Sequence, residues 1–204
     1  MSDKFPFHRA DVSLSSPQSK LVMRRSARQF DADMLYLAYE APTQLGDDAP
    51  LAYGCLEMVL ASMASVGHEL SKYRKEIDSK LKAKSFRTLE YDEDAAEVFS
   101  VRIHCAPAKM FIQMIIELDK IAPLVETMAY HAMMTIPERN RNMRELKNKL
   151  VALGQALHER RETIESSLSD MRKKKYQHKT CAPTDNSDLK AIKIRRRPQR
   201  EVSE

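Results

Sequence analysis

Arg102 stands in the middle of a run in which polar and apolar side chains alternate. From Glu97 to Cys105 the sequence reads EVFSVRIHC. Successive side chains of a strand point to opposite sides, so Ser100, Arg102 and His104 share one face and Phe99, Val101, Ile103 and Cys105 the other. A guanidinium fork matches the two acceptors that guanine presents in the major groove, so Arg102 is the side chain here best able to read a base edge. Ser100 and His104 flank it on the same face. The pattern also suits a half-buried structural strand, because alternation alone specifies no partner.

Two further groups of cations have spacing that suits phosphate. Lys80, Lys82, Lys84 and Arg87 follow one another near a predicted helix end. Interspersed Glu76 and Asp78 fit a solvated helix end equally well. Arg139 and Arg141 flank Asn140 at a predicted helix start, where free N–H groups and the helix dipole favour an anion. They are also ordinary first-turn residues. Catalytic patterns are missing: the six histidines are scattered, Gly67-His68-Glu69 lacks a second histidine four residues after the first, and no GxSxG occurs. Cys55, Cys105 and Cys181 are far apart and without CxxC spacing, which supports neither a zinc site nor a disulfide framework. Four glycines argue against a phosphate-cradling loop. The expectation is a protein that is not an enzyme and uses no cofactor or metal.

The positive charge is unevenly placed. Net charge is +5, yet residues 172–200 alone carry eleven Lys or Arg against two Asp, while residues 1–171 hold 23 basic and 25 acidic groups. A near-neutral body with a basic tail is an electrostatic footprint for a polyanion, most often nucleic acid. A tail of this kind contacts phosphates and reads no bases. No apolar core of signal-peptide length opens the chain and no run of about 18 apolar residues is evident, so a cytoplasmic protein without membrane contact is expected.

These residues need elements to position them. Residues 1–20, with Pro6, Pro17 and several serines, read as a flexible arm, and KLVMRRSARQF from Lys20 as a poorly patterned extended segment. DADMLYLAYEA from Asp31 reads as a short helix ended by Pro42 and Gly46. Asp47-Asp48 then caps a longer helix with Leu51, Cys55, Met58, Val59, Ser62, Met63 and Val66 on its apolar face. Ala106-Pro107 opens a helix after the alternating run. Its stripe of Met110, Phe111, Met114, Ile115, Leu118 and Ile121 is core packing, and Pro123 either ends or kinks it. Thr135 and Glu138 form a capping box for a long helix. In that helix Leu146, Leu150, Leu153, Leu157, Ile164, Leu168 and Met171 make a heptad seam that needs a partner surface, either the N-terminal half of the same chain or a second subunit. The seam includes Gly154, which weakens a helix interior. Past residue 175 the composition predicts disorder.

One strand feeding two helices is the order of a ribbon-helix-helix DNA-binding unit, in which the strands of two subunits pair and lie in the major groove. The expected class is therefore mainly α with a short β-strand: a ribbon-helix-helix-type dimer with additional N-terminal helices and a long C-terminal helix. Its parts are an arm (1–20), an N-terminal helical region (21–95), the strand-helix-helix region (96–175) and a disordered basic tail (176–204). A strand with no partner in its own chain makes the homodimer obligatory, since an open edge leaves ladder groups unpaired.

The segments DADMLYLAYEA, GDDAPLAYGCLEMVL and VFSVRIHCAPAKMFIQMIIELDKIAPLVETMAYHAMM resemble the AcaB-like regulators of conjugative plasmids and integrating conjugative elements. The likeness spans roughly residues 20–160. Leu118-Asp119 stands where that family has a Leu-x-x-Asp pattern, with altered spacing. The resemblance implies a DNA-binding dimer that activates conjugation genes, with double-stranded DNA as partner and RNA polymerase as the target of activation. The competing expectation is a helical interaction protein that dimerises through the long heptad helix and carries a non-specific nucleic-acid-binding tail.

Overall fold

The computed structural model describes the backbone of residues 5–180 and the side chains of residues 5–173, Glu93 excepted. Strand β1 (His8–Leu14) leads into a helix whose α-helical pieces are α1 (Pro17–Val22), α2 (Arg28–Leu35) and α3 (Ala41–Leu45), joined by π-helical turns over Met23–Ala27 and Tyr36–Glu40. After a turn at Gly46 comes α4 (Ala49–Ala83), then β2 (Glu97–Ile103), α5 (Ala106–Tyr130) and α6 (Ile136–Thr180). Gly46 has φ of 60°, a left-handed conformation that glycine adopts without strain. The compact unit closes at Leu168, and the basic tail from residue 181 lies outside the described residues. Helix α6 runs to Thr180, a few residues into the segment expected to be disordered.

Within the expected flexible arm, His8–Leu14 is a strand and the segment from Pro17 is already helical. β1 pairs antiparallel with β2 along its whole length, from His8 opposite Ile103 to Leu14 opposite Glu97. β2 therefore has its ladder partner within the chain, and the reason for an obligatory strand-sharing homodimer falls away. HRADVSL satisfies the same period of two as β2: Val12 and Leu14 are buried, while Arg9, Asp11 and Ser13 are exposed. The segment from Lys20 is helical, not extended. Ser16 accepts a hydrogen bond from the Ser19 N–H as N-cap, and Pro17 sits in the first turn with its fixed φ.

The chain is thus built as two strand-helix-helix units. In each, a seven-residue strand is followed by two linker residues and a helix with proline in its first turn. The first helices cross where Phe30 stacks on Phe111, with ring centroids 4.0 Å apart. Each second helix then packs along the first helix of the other unit. Gly154 of α6 lies beside Ser26 and Arg161 bonds Asp33, so residue numbers rise together along both helices. Gly67 of α4 lies beside Met114, and Arg74 pairs with Glu117 in the same sense.

This interleaving settles the seam. Leu146, Leu150, Leu153, Leu157, Ile164 and Leu168 are all buried within the chain and Met171 is half-buried, so from Leu146 to Leu168 the seam is covered by the chain itself. The buried face of α4 is Ala52, Val59, Met63, Leu70, Ile77 and Leu81, rotated from the expected one. Leu51 and Met58 are about half exposed as a result. The helical stretch Pro17–Ala83 contains an 18-residue window of mean hydropathy 1.4, long and apolar enough to cross a membrane, of which 17% is buried. Pro123 lies inside a continuous α5, and its carbonyl accepts from the Thr127 hydroxyl at 2.6 Å.

Candidate nucleic-acid interface

The outer face of the two-stranded sheet carries six exposed side chains: Arg9, Asp11 and Ser13 from β1, and Val98, Ser100 and Arg102 from β2. Register places Arg9 opposite Arg102, Asp11 opposite Ser100, and Ser13 opposite Val98. The opposite face, with Val12, Leu14, Phe99, Val101 and Ile103, lies against the helices. The Arg102 guanidinium carbon sits 5.0 Å from the centre of the Phe7 ring, within the range of a cation–π contact.

Two carboxylates fix this ribbon onto the helices, each reaching from one unit to the strand end of the other. Asp119 of α5 accepts from the backbone N–H of Ser15 at 3.1 Å and of Ser16 at 2.7 Å. Asp31 of α2 accepts from the backbone N–H of His104 at 2.9 Å and also engages its Nδ1. These are the N–H groups at the strand-to-helix junctions, which would otherwise be buried without a partner. Asp119 was singled out in sequence only through the family resemblance. Its structural role is this cap.

His104 is consequently not a reading residue. Its side chain is 5% exposed, bonded to Asp31 through Nδ1, and its Nε2 is buried without a hydrogen-bond partner. The strand ends at Ile103, so alternation does not continue to His104, and the ring turns inward at the junction. Cys105 follows as the N-cap residue of α5, and burial pushes its thiol above the ordinary range, against a nucleophilic role.

The other cations expected to contact phosphate lie elsewhere. Phe86, next to Arg87, stacks on His131 just past the end of α5, with ring centroids 3.7 Å apart. Helix α5 has 25 residues and is therefore about 37 Å long, which separates that end from the ribbon. Lys80 and Lys84 are exposed there, Lys82 pairs with Asp78 at 2.6 Å and Arg87 with Glu90 at 3.8 Å. Arg139 bonds Glu126 at 2.7 Å, and Arg141 is 3.9 Å from Glu145. The capping box is present, with the Thr135 N–H on Glu138 at 2.8 Å and the Glu138 N–H on the Thr135 hydroxyl at 3.3 Å. These bonds hold the Glu138 carboxyl below the usual carboxylate range. Only Ser100 and Arg102 of the expected residues share the ribbon face. Arg9, Asp11 and Ser13 were missed, although the alternation of Ala10, Val12 and Leu14 marks their strand.

Fold and face together define a class: a two-stranded antiparallel ribbon, polar outward except at Val98, backed by two interleaved helical pairs. No protein-family model matches the chain, and no curated protein matches it in sequence. Among solved structures it is similar to the crystal structure of selenomethionine-containing AcaB from uropathogenic E. coli, with a TM-score of 0.75 and 16% identity over 83% of this chain and 86% of that one. The chain shares the AcaB fold. At 16% identity it is not AcaB itself.

Proposed function

We propose that the chain is a sequence-specific DNA-binding transcription regulator whose paired β1 and β2 enter the major groove as a ribbon-helix-helix-type reader. The observation that carries this reading is Arg9 directly opposite Arg102 on an exposed face. Both guanidinium groups can pair with guanine edges or phosphates. The fold shared with AcaB, taken with the resemblance to AcaB-like regulators, favours activation of conjugative-transfer genes. Double-stranded DNA and RNA polymerase are then the partners, in the cytoplasm, with no catalytic step, cofactor or membrane involved. A second copy, in a homodimer, adds a second ribbon and does not complete the first.

The test is a binding titration against a duplex selected by the protein and against a scrambled duplex. Arg102→Ala removes a bidentate base contact worth about 1–3 kcal/mol, with folding unchanged because the side chain is exposed. Lys80→Ala and Lys84→Ala lower affinity for both duplexes alike if that end touches phosphate. Wild-type affinity of both Arg9→Ala and Arg102→Ala for the selected duplex would remove the ribbon as the reading element.

A further inference from the structure

We infer that the DNA site is non-palindromic and is read by one chain, a conclusion that rests on the DNA-binding reading above. The two strands are of equal length and pair end to end around the central pair Asp11 and Ser100. A half-turn about the midpoint of that pair exchanges the two strand-helix-helix units. It carries Arg9 onto Val98, Asp11 onto Ser100 and Ser13 onto Arg102. When two identical strands form such a ribbon, both ends carry the same side chains and the matching DNA is an inverted repeat.

Here the backbone keeps the approximate two-fold axis and the reading residues break it. One end presents two guanidinium groups, Arg9 and Arg102. The other presents the Ser13 hydroxyl and the Val98 isopropyl group, which is 67% exposed. Asp11, near the axis, is a pure acceptor. The chemistry of the groove assigns partners to each: guanine N7 and O6 for the arginine end, a cytosine amino group for Asp11, and a thymine methyl for Val98. The ligand class is therefore duplex DNA with polarity, G·C pairs under one end of the ribbon and A·T pairs under the other. The protein then binds in one orientation, which a symmetric ribbon cannot enforce.

The experiment selects binders from a randomised duplex library with the full-length chain and weighs the resulting complex. The expected motif is asymmetric, with one chain per motif. Arg9→Ala and Arg102→Ala relax base preference at the same end of the motif, each by about 5- to 150-fold. The double variant Ser13→Arg with Val98→Arg gives both ends an arginine pair at exposed positions. Its selected motif becomes an inverted repeat at its two ends, with the asymmetry confined to the centre under Asp11 and Ser100. A palindromic wild-type motif occupied by two chains overturns the inference and leaves DNA recognition standing. So does relaxation at opposite ends by Arg9→Ala and Arg102→Ala. Failure of the folded wild-type chain to enrich any sequence overturns both.

Discussion

Asp31 and Asp119 do the same work from opposite sides, and neither is legible from its neighbours in sequence. Each lies within a helix, although Asp31 reads from sequence as a cap at a helix start, and each bonds backbone N–H groups about a hundred or seventy residues away. Asp119→Ala leaves the Ser15 and Ser16 N–H groups without an acceptor at a part-buried junction. The expected loss is about 1–3 kcal/mol, read as a lower urea midpoint at unchanged slope. Surface carboxylates such as Glu90 serve as the control, with changes within about 0.5 kcal/mol. An Asp119→Ala midpoint equal to wild type would mean that water replaces the carboxylate and the junction is not held this way. Asp33 belongs to the same pattern. It is fully buried, bonded to Gln29, His158 and Arg161, and it holds the Arg161 guanidinium firmly protonated.

At the scale of elements, local periodicity was legible and partnership was not. The alternation in EVFSVRI predicts β2, and proline in the first turn marks the starts of α4, α5 and α6; the Thr135–Glu138 box forms at α6, while Asp48 at the start of α4 makes no side-chain cap bond. β1 carries the same alternation, but it sits in a stretch rich in serine and proline whose partner strand is more than eighty residues away. Composition outweighed the pattern there. The spacing in α6 predicts a seam that needs a surface, yet nothing local distinguishes a second subunit from the chain's own α2 and α4. Gly154 shows what that packing permits. A Cβ added there meets the Ser26 Cβ at 3.5 Å and Oγ at 3.7 Å, ordinary van der Waals contact. Gly154→Ala therefore fits the crossing, lowers the entropy of the unfolded chain and improves helix propensity. It raises stability by about 0.5–1 kcal/mol. Gly154→Leu drives a branched side chain into the α2 side of the crossing and lowers stability. A thermal or urea melt in which alanine destabilises as much as leucine would show a crossing too tight for any side chain.

For the whole molecule, interleaving decides how it folds. Each strand finds its ladder in the other unit, each junction takes its cap from the other unit, and each second helix lies along the other unit's first helix. Residues 5–168 are therefore expected to unfold as one cooperative body, in place of an N-terminal helical region and a separate strand-helix-helix region. The measurement is far-UV circular dichroism on residues 1–92 and 93–180 expressed apart and then mixed. Alone, each piece has an unpaired strand and two helices whose apolar faces, Leu70, Ile77 and Leu81 in one and Leu150, Leu157 and Ile164 in the other, lack their cover. Both pieces are expected to be poorly ordered or self-associated by themselves, and to regain helical signal and a sharp melt on mixing in equal amounts. The intact chain, by contrast, carries both halves of its ribbon. Its unfolding midpoint should not move with protein concentration, as an obligate dimer's must. A midpoint that climbs with concentration would place part of the stability in a second copy, docked on a surface such as the exposed Leu51 and Met58 of α4. A well-folded isolated half would show that the two units are domains after all, and that their interleaving adds little to the stability of either.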